Sequence, residues 1–279
     1  MKVIVLGSQG MAGHLISKYL KSQNHKVFDI ARTLPCDSLL DAENLDSCRE
    51  FAHSINKLNT EEQPDAIINC IGLLVKASEN NPSKAILVNS WFPHFLEESF
   101  KKTSIKLIHL STDCVFDGKA GNYTENSLPN ETNYYGWSKA LGEVINSKDL
   151  TIRTSIVGTE LKSEGSGLLE WVLRQRDTIR GYSEIFWNGC TTLELAKFIN
   201  SVILTKKNLN YLYHLISPYP ISKYNLIKLI CEVWGREIVL FPDNSIKSNK
   251  TLINTRKEEF DYSVSDYFTQ LKELYEFAK

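Results

Sequence analysis

Tyr135 and Lys139 are the side chains of this chain whose types and spacing fit acid–base chemistry. In the run Tyr134-Tyr135-Gly136-Trp137-Ser138-Lys139-Ala140-Leu141-Gly142-Glu143 a phenol precedes an ammonium by four residues, and on a helix residues at that spacing share a face. Tyr134, five residues from Lys139, points elsewhere, which leaves it as a packing or substrate-lining aromatic. An ammonium nearby favours the phenolate and draws a group with an ordinary pKa of about 10 toward the working pH. A Tyr and a Lys at this spacing also occur by chance in surface helices. The elements that position them must decide.

The first such element is KVIVLGSQGMAGHLISKYL, in which Gly7, Gly10 and Gly13 stand at three-residue intervals. Glycine lets the backbone turn tightly and approach a pyrophosphate, and a helix N-terminus offers free N–H groups and a positive dipole end. The turn follows a fully apolar strand and opens an amphipathic helix, which is the context a dinucleotide fingerprint requires. Gln9 and Met11, lying between the glycines, join the expected cofactor-binding set.

Further along, short apolar runs alternate with amphipathic stretches, the signature of βα units around a parallel sheet. Strands are expected at KVIVLG, KVFDIAR, DAIINCIG, KLIHLST, TIRTSIVG and YLYHLIS, and helices over 11–22, 45–58, 83–100 and 138–147. Pro93 should bend or restart the third helix. Later helices are expected in GLLEWVLRQRD and NGCTTLELAKFINSVIL, and behind N-caps at Ser222 and Ser265. The polar stretch TELKSEGSG interrupts the alternation. The expected fold is α/β, a Rossmann-like doubly wound parallel sheet with a smaller C-terminal substrate-binding lobe. Residues 1–158 plus about 191–216 form the dinucleotide-binding domain in this division, and about 159–190 and 217–279 form the lobe.

Charge and composition exclude several classes. With 32 Lys and Arg against 33 Asp and Glu, no broad electrostatic footprint for a nucleic acid polymer or an anionic membrane exists. The apolar run of four residues, Val3 to Leu6, before Gly7 is too short for a signal h-region or a membrane span, so a cytoplasmic location is expected. The six cysteines show no CxxC pair and are expected to be reduced thiols, with Cys114 the one near the chemistry. The six histidines form no ligand constellation, and no metal is expected.

The GxxGxxG spacing resembles that of the extended short-chain dehydrogenase/reductases, which carry a YxxxK pair and an upstream Ser or Thr at a strand end. Ser111 and Thr112 end the strand KLIHLST. The run Ser111-Thr112-Asp113-Cys114-Val115-Phe116-Asp117-Gly118, then Tyr123, Glu125, Pro129 and YGWSKALGE, resembles the dTDP-4-dehydrorhamnose reductase family. Asn69-Cys70-Ile71-Gly72, Val88-Asn89, Ile152-Arg153-Thr154-Ser155 and ISPYPISKYNLIKLI extend the resemblance over nearly the whole chain, more loosely in its C-terminal part. It implies reduction of a 4-keto nucleotide-activated deoxysugar for surface polysaccharide or glycan biosynthesis. Tyr135 would protonate the carbonyl oxygen, Thr112 would orient it, and Lys139 would also hold the nicotinamide ribose. Cys70, Ile71, Gly72, Asn89 and Thr154 would line the cofactor. Asp113 is divided evenly between touching substrate and capping its turn. Asn188 and Arg256 are sugar or diphosphate contacts in this view, with solvated surface roles as the alternative.

NADPH is the expected cofactor, NADH the alternative. NAD-selective proteins place an acid roughly 20 residues past the glycine turn, whereas here Ala31 stands near that place and Arg32 follows. Asp29 lies earlier, within the strand. A 4,6-dehydratase is disfavoured, because Thr112-Asp113-Cys114 lacks the glutamate that elimination needs. A 4-epimerase and a catalytically silent cofactor-binding regulatory subunit are the competing functions, and a homodimer is among the allowed assemblies.

Overall fold

Alternate side chains of the first strand feed two different cores, as the two-residue period of a strand dictates. In the computed structural model, which describes residues 1–161, 165, 167–205 and 209–279, Val3 and Val5 of β1 (Lys2–Leu6) pack with Ile68, Ile108, Ile152 and Phe198. Ile4 and Leu6 pack on the other face with Phe51, Ile67, Phe92 and Phe100. A strand buried on both faces reads as a continuous apolar run, which KVIVL is.

The first half of the chain continues through α1 (Met11–Ser22), β2 (Lys26–Ala31), β3 (Ser38–Leu39), α2 (Leu45–Asn56) and β4 (Ala66–Asn69). Next come α3 (Val75–Asn80), α4 (Pro82–Ala85), a π-helical turn at Ile86–Trp91 and α5 (Phe92–Phe100). Pro93 does not break this run. It sits in the first turn of α5, where a missing N–H costs little, and the wider π turn before it absorbs the change in register. Then follow β5 (Lys106–Thr112), a 3-10 turn at Asp113–Val115, α6 (Tyr134–Leu141) and β6 (Leu150–Thr154).

The second half supplies β7 (Ile156–Val157), α7 (Leu168–Arg174), β8 (Thr178–Tyr182), β9 (Ile185–Trp187), β10 (Cys190–Thr191), α8 (Thr192–Thr205) and β11 (Tyr211–His214). It ends with β12 (Ile221–Ser222), α9 (Lys223–Val233), β13 (Val239–Asp243), β14 (Ser248–Asn249) and α10 (Tyr267–Ala278). Seven parallel strands form one sheet in the order β11-β6-β5-β4-β1-β2-β3. The order reverses between β1 and β4, the crevice where open α/β sheets bind ligands. A third core joins α7, α9 and α10 through Leu169, Leu226, Ile230 and Leu271, and α10 also touches α8.

Three boundaries differ from expectation. The helix of the YYGWSKALGE run spans Tyr134–Leu141, not 138–147, because the Asn133 side chain accepts the Gly136 N–H at 2.7 Å and starts it early. The last helix is capped by Asp266, which accepts from the Thr269 N–H at 3.1 Å, while Ser265 lies one residue outside. Cys70 stands just past the end of β4 rather than within it. Part of the TELKSEGSG stretch lies outside the described residues.

Candidate active site

The glycine turn is built by close approach. Gly7 has a φ of +76°, which favours a residue without a Cβ, and its carbonyl accepts the Gly10 N–H at 2.9 Å. A Cβ on Gly13 would lie 2.1 Å from that same carbonyl oxygen, so α1 could not start so close to β1 with any other residue there. Gln9 does not reach into the crevice. Its carboxamide donates to the Thr33 carbonyl at 2.7 Å and accepts from the Thr33 hydroxyl at 2.8 Å, which fastens the turn to the loop after β2. The Met11 side chain reaches the backbone at Gly167.

From this turn a row of close contacts leads to Lys139 and Tyr135. Gly7 abuts Cys70 and Ile71, and a Cβ on Gly72 would lie 4.0 Å from the Lys139 ammonium. The loop between them is held from below. Asn69, fully buried, accepts the Ile71 N–H at 3.1 Å and meets His109 Nδ1 at 3.1 Å. Asn89 is also fully buried, and its carboxamide serves the protein: it accepts the Leu73 N–H at 2.7 Å and donates to Ser138 Oγ at 3.0 Å. It therefore braces this loop instead of facing a ligand.

Helix α6 presents Tyr135 and Lys139 together, while Tyr134 is exposed and packs edge-on against Trp137. The Tyr135 phenol is hydrogen-bonded with the Thr112 side chain, and burial pushes its pKa up. The expected pull from Lys139 is not what sets the phenol here: the ammonium donates instead to the Leu110 carbonyl at 2.7 Å. Burial pushes Lys139 down to about 8, with Glu143 opposing. Thr112 Oγ1 accepts the Cys114 N–H at 3.1 Å and so caps the 3-10 turn itself. Asp113, relieved of that task, is 5% exposed and receives the Thr112 hydroxyl at 3.2 Å. The Cys114 thiol is pushed up to about 12 by burial, so it is no nucleophile near neutral pH.

Three expected contacts are drawn elsewhere, and a fourth, Arg32, is shared with a neighbour. Thr154 is buried with its hydroxyl toward the Ser155 carbonyl and Cys190 Sγ. Asn188 is buried and exchanges two hydrogen bonds with the Leu252 backbone, at 2.7 and 2.9 Å, which ties its carboxamide to that strand of chain. The Arg256 guanidinium donates to the Asn210 and Leu212 carbonyls at 2.6 and 2.7 Å and forks onto Glu259. Arg32 remains at the end of β2, largely exposed, where Glu43 takes it at 3.2 Å and takes Lys84 at 2.6 Å as well. Conversely, Lys223 and Lys250 lie in electrostatic reach of Asp113 and Cys114, which no spacing indicated. Glu143, four residues past Lys139, carried a signal in that spacing.

Glu143 joins a buried ion pair beneath the site. Arg153 donates to both of its oxygens, at 2.9 and 2.6 Å, and Ser111 adds a third hydrogen bond at 2.6 Å. Arg153 Nη1 meets His214 Nε2 at 3.1 Å. Since guanidinium only donates, this nitrogen accepts, and Nδ1–H donates to the Ile253 carbonyl at 2.8 Å. Burial holds His214 neutral, pushing it down to about 4.

The family model of the RmlD substrate binding domain matches residues 1–257. A probable low-salt glycan biosynthesis reductase of Haloferax volcanii is 28% identical over 255 residues, covering 86% of this chain and 82% of that protein. A dTDP-4-keto-6-deoxy-D-glucose reductase of Streptomyces niveus is 26% identical, covering 84% and 79%. The crystal structure of a dTDP-4-dehydrorhamnose reductase of Bacillus anthracis in complex with NADP superposes with a TM-score of 0.83 at 21% identity, over 100% of this chain and 99% of that one.

Breaking the buried pair leaves an uncompensated charge, at a cost of about 3–5 kcal/mol. Arg153→Met is expected to lower unfolding stability by that order in urea titration, and Glu143→Leu added to it to recover part of the loss. A loss under about 1 kcal/mol would show that the pair carries no such strain on removal.

Proposed function

Because the chain belongs to the RmlD substrate binding domain family, nucleotide-sugar reductases among the extended short-chain dehydrogenase/reductase oxidoreductases, we propose that it reduces the 4-keto group of a nucleotide-activated deoxysugar in glycan biosynthesis. The observation that carries this reading is the row of contacts from the glycine turn past Ile71 and Gly72 to Lys139, with Tyr135 hydrogen-bonded to Thr112 beside it. The residues fit a nicotinamide dinucleotide, since Gly7 at a φ of +76° and the close approach of Gly13 to its carbonyl set the free N–H groups at the start of α1 beside the end of β1. When bound, that cofactor supplies the hydride. Tyr135, kept protonated by burial, gives its proton to the carbonyl oxygen. Thr112 holds that oxygen through the hydroxyl that now meets the phenol. Lys139 holds the ribose and offers positive charge as the phenol loses its proton.

Substrate choice falls in this reading to residues 159–190 and 217–279. Among the described residues no helix is long and apolar enough to cross a membrane. The six cysteines are unpaired thiols, which supports a cytoplasmic place of action.

The panel that tests the reaction is a set of 4-keto nucleotide sugars, with cofactor absorbance as readout. Tyr135→Phe should lower turnover by about 10²–10⁴-fold with cofactor affinity nearly intact, and Tyr134→Phe should be mild. Lys139→Ala should weaken cofactor binding as well as turnover. Comparable losses in the two tyrosine variants would refute the assignment, and no reduction of any sugar would favour a silent cofactor-binding subunit.

NADPH is the proposed cofactor. Arg32 can pair with a 2′-phosphate, and Lys84 adds a second cation through Glu43. The Glu43 carboxylate competes for both. Arg32→Ala should therefore lower kcat/KM for NADPH selectively, and Glu43→Gln should raise the NADPH to NADH ratio. Equal changes for both cofactors would remove Arg32 from the phosphate site.

We also propose a homodimer, formed over the exposed face of α6 and the residues just after it. Trp137, Leu141 and Ile145 are each more than half exposed, at 51, 66 and 59%, an apolar exposure that a second copy would cover. Light scattering should give twice the chain mass, and Trp137→Glu should return the monomer. A monomeric wild type would end this proposal.

A further inference from the structure

The 3-10 turn carries Asp113 from the catalytic strand toward the second-half elements, and Lys223, first residue of α9, faces it from there. The Lys223 ammonium lies 4.1 Å from the centroid of the Trp187 ring. It has Asp113 and Cys114 in electrostatic reach, and burial pushes its pKa down with Asp113 opposing. Yet among the described residues it has neither a hydrogen-bond acceptor nor an ion-pair partner. Trp187 is 2% exposed, and its Nε1–H also finds no acceptor. The far edge of its ring is packed where Gly189 leaves no room for a Cβ. Lys250, the other cation near Asp113, is already taken by Glu131 at 3.0 Å.

An ammonium seated on an aromatic face, partly open to solvent and taken by no acceptor among the described residues, stands near a buried carboxylate and is free to meet a ligand. The cation–π contact positions the ammonium without using its N–H donors. A ligand group that bridges the two must accept from Lys223 and donate to Asp113. A carboxylate or phosphate would be repelled by Asp113, and a methyl would satisfy neither side; a hydroxyl does both. In a 6-deoxy-4-ketosugar the two carbons flanking the carbonyl differ in this respect: C5 bears a methyl and C3 a hydroxyl. Asp113 directly follows Thr112, which the proposed reaction places on the carbonyl oxygen.

We propose that Lys223, seated on Trp187 and opposed by Asp113, binds the C3 hydroxyl of the ketosugar and so makes the protein selective for sugars oxygenated at that carbon. This rests on the reductase reading above and adds to it the residue that reads the sugar ring next to the reacting centre. Lys223 acts on binding, so its loss should fall mainly on KM.

The experiment compares dTDP-4-keto-6-deoxyglucose with its 3-deoxy counterpart in the wild type, Lys223→Met and Lys223→Arg. The wild type should favour the 3-hydroxy sugar in kcat/KM by about tenfold or more, as expected for a hydrogen bond to a charged group. Lys223→Met should erase most of that ratio, and Lys223→Arg should keep part of it. A ratio near one in the wild type, or a ratio unchanged in Lys223→Met, would overturn the subsite. If the wild type reduces neither sugar, it is the reductase reading that fails. The subsite is then judged by calorimetric binding of dTDP-6-deoxyglucose and its 3-deoxy form: discrimination lost in Lys223→Met supports it, and equal wild-type affinities overturn it.

Discussion

The buried pair of Arg153 and Glu143 is the constraint on which the site depends. Ser111, Arg153 and His214 stand opposite one another on β5, β6 and β11, and each touches the pair or one of its members. A bidentate guanidinium–carboxylate contact is directional as well as strong, so it fixes the carboxyl ends of three adjacent strands relative to the end of α6. Phe116 stacks flat on Tyr123 at 4.0 Å and receives the Arg153 guanidinium over its face at 4.9 Å. The loop leaving Thr112 is thereby packed onto the same cation.

Position and charge are linked through this arrangement. Glu143 lies one helical turn beyond Lys139 and is the main influence keeping that ammonium charged against burial. The same carboxylate that pins the strands thus sets the electrostatics of the site. Burial acts in opposite senses on the two acid–base groups: it favours the neutral phenol of Tyr135 and the neutral amine of Lys139. A phenol held neutral by burial is able to act as a proton donor.

Carboxamides do much of the remaining bracing. Asn69 and Asn89 hold the loop that joins the glycine turn to Lys139, and Asn133 starts the helix that carries Tyr135. Asn188 ties the end of the β9 region to Leu252. Each offers a donor and an acceptor at once, so a single side chain can clamp a backbone N–H and C=O and leave nothing unpaired inside. Around Trp187 the bracing stops: its buried Nε1–H finds no acceptor, and the Lys223 ammonium lies over its ring.

The sequence by itself determined what short range controls. The glycine spacing demanded a turn that only close backbone contact explains, the four-residue interval put Tyr135 and Lys139 on one face, and alternating apolar strands led to the parallel sheet. Ser222 caps α9 as its position before an apolar-periodic run required. Only the tertiary structure decided where long polar side chains spend their hydrogen bonds. Asn188 meets a backbone 64 residues away and Arg256 one 44 residues away, and nothing local to either residue encodes those partners. The same holds for Lys223, whose setting comes from Trp187 on another strand and Asp113 on the catalytic turn. Periodicity and caps are properties of a few adjacent residues, whereas a buried donor's partner is set by whichever distant backbone or side chain the packed core brings within about 3 Å.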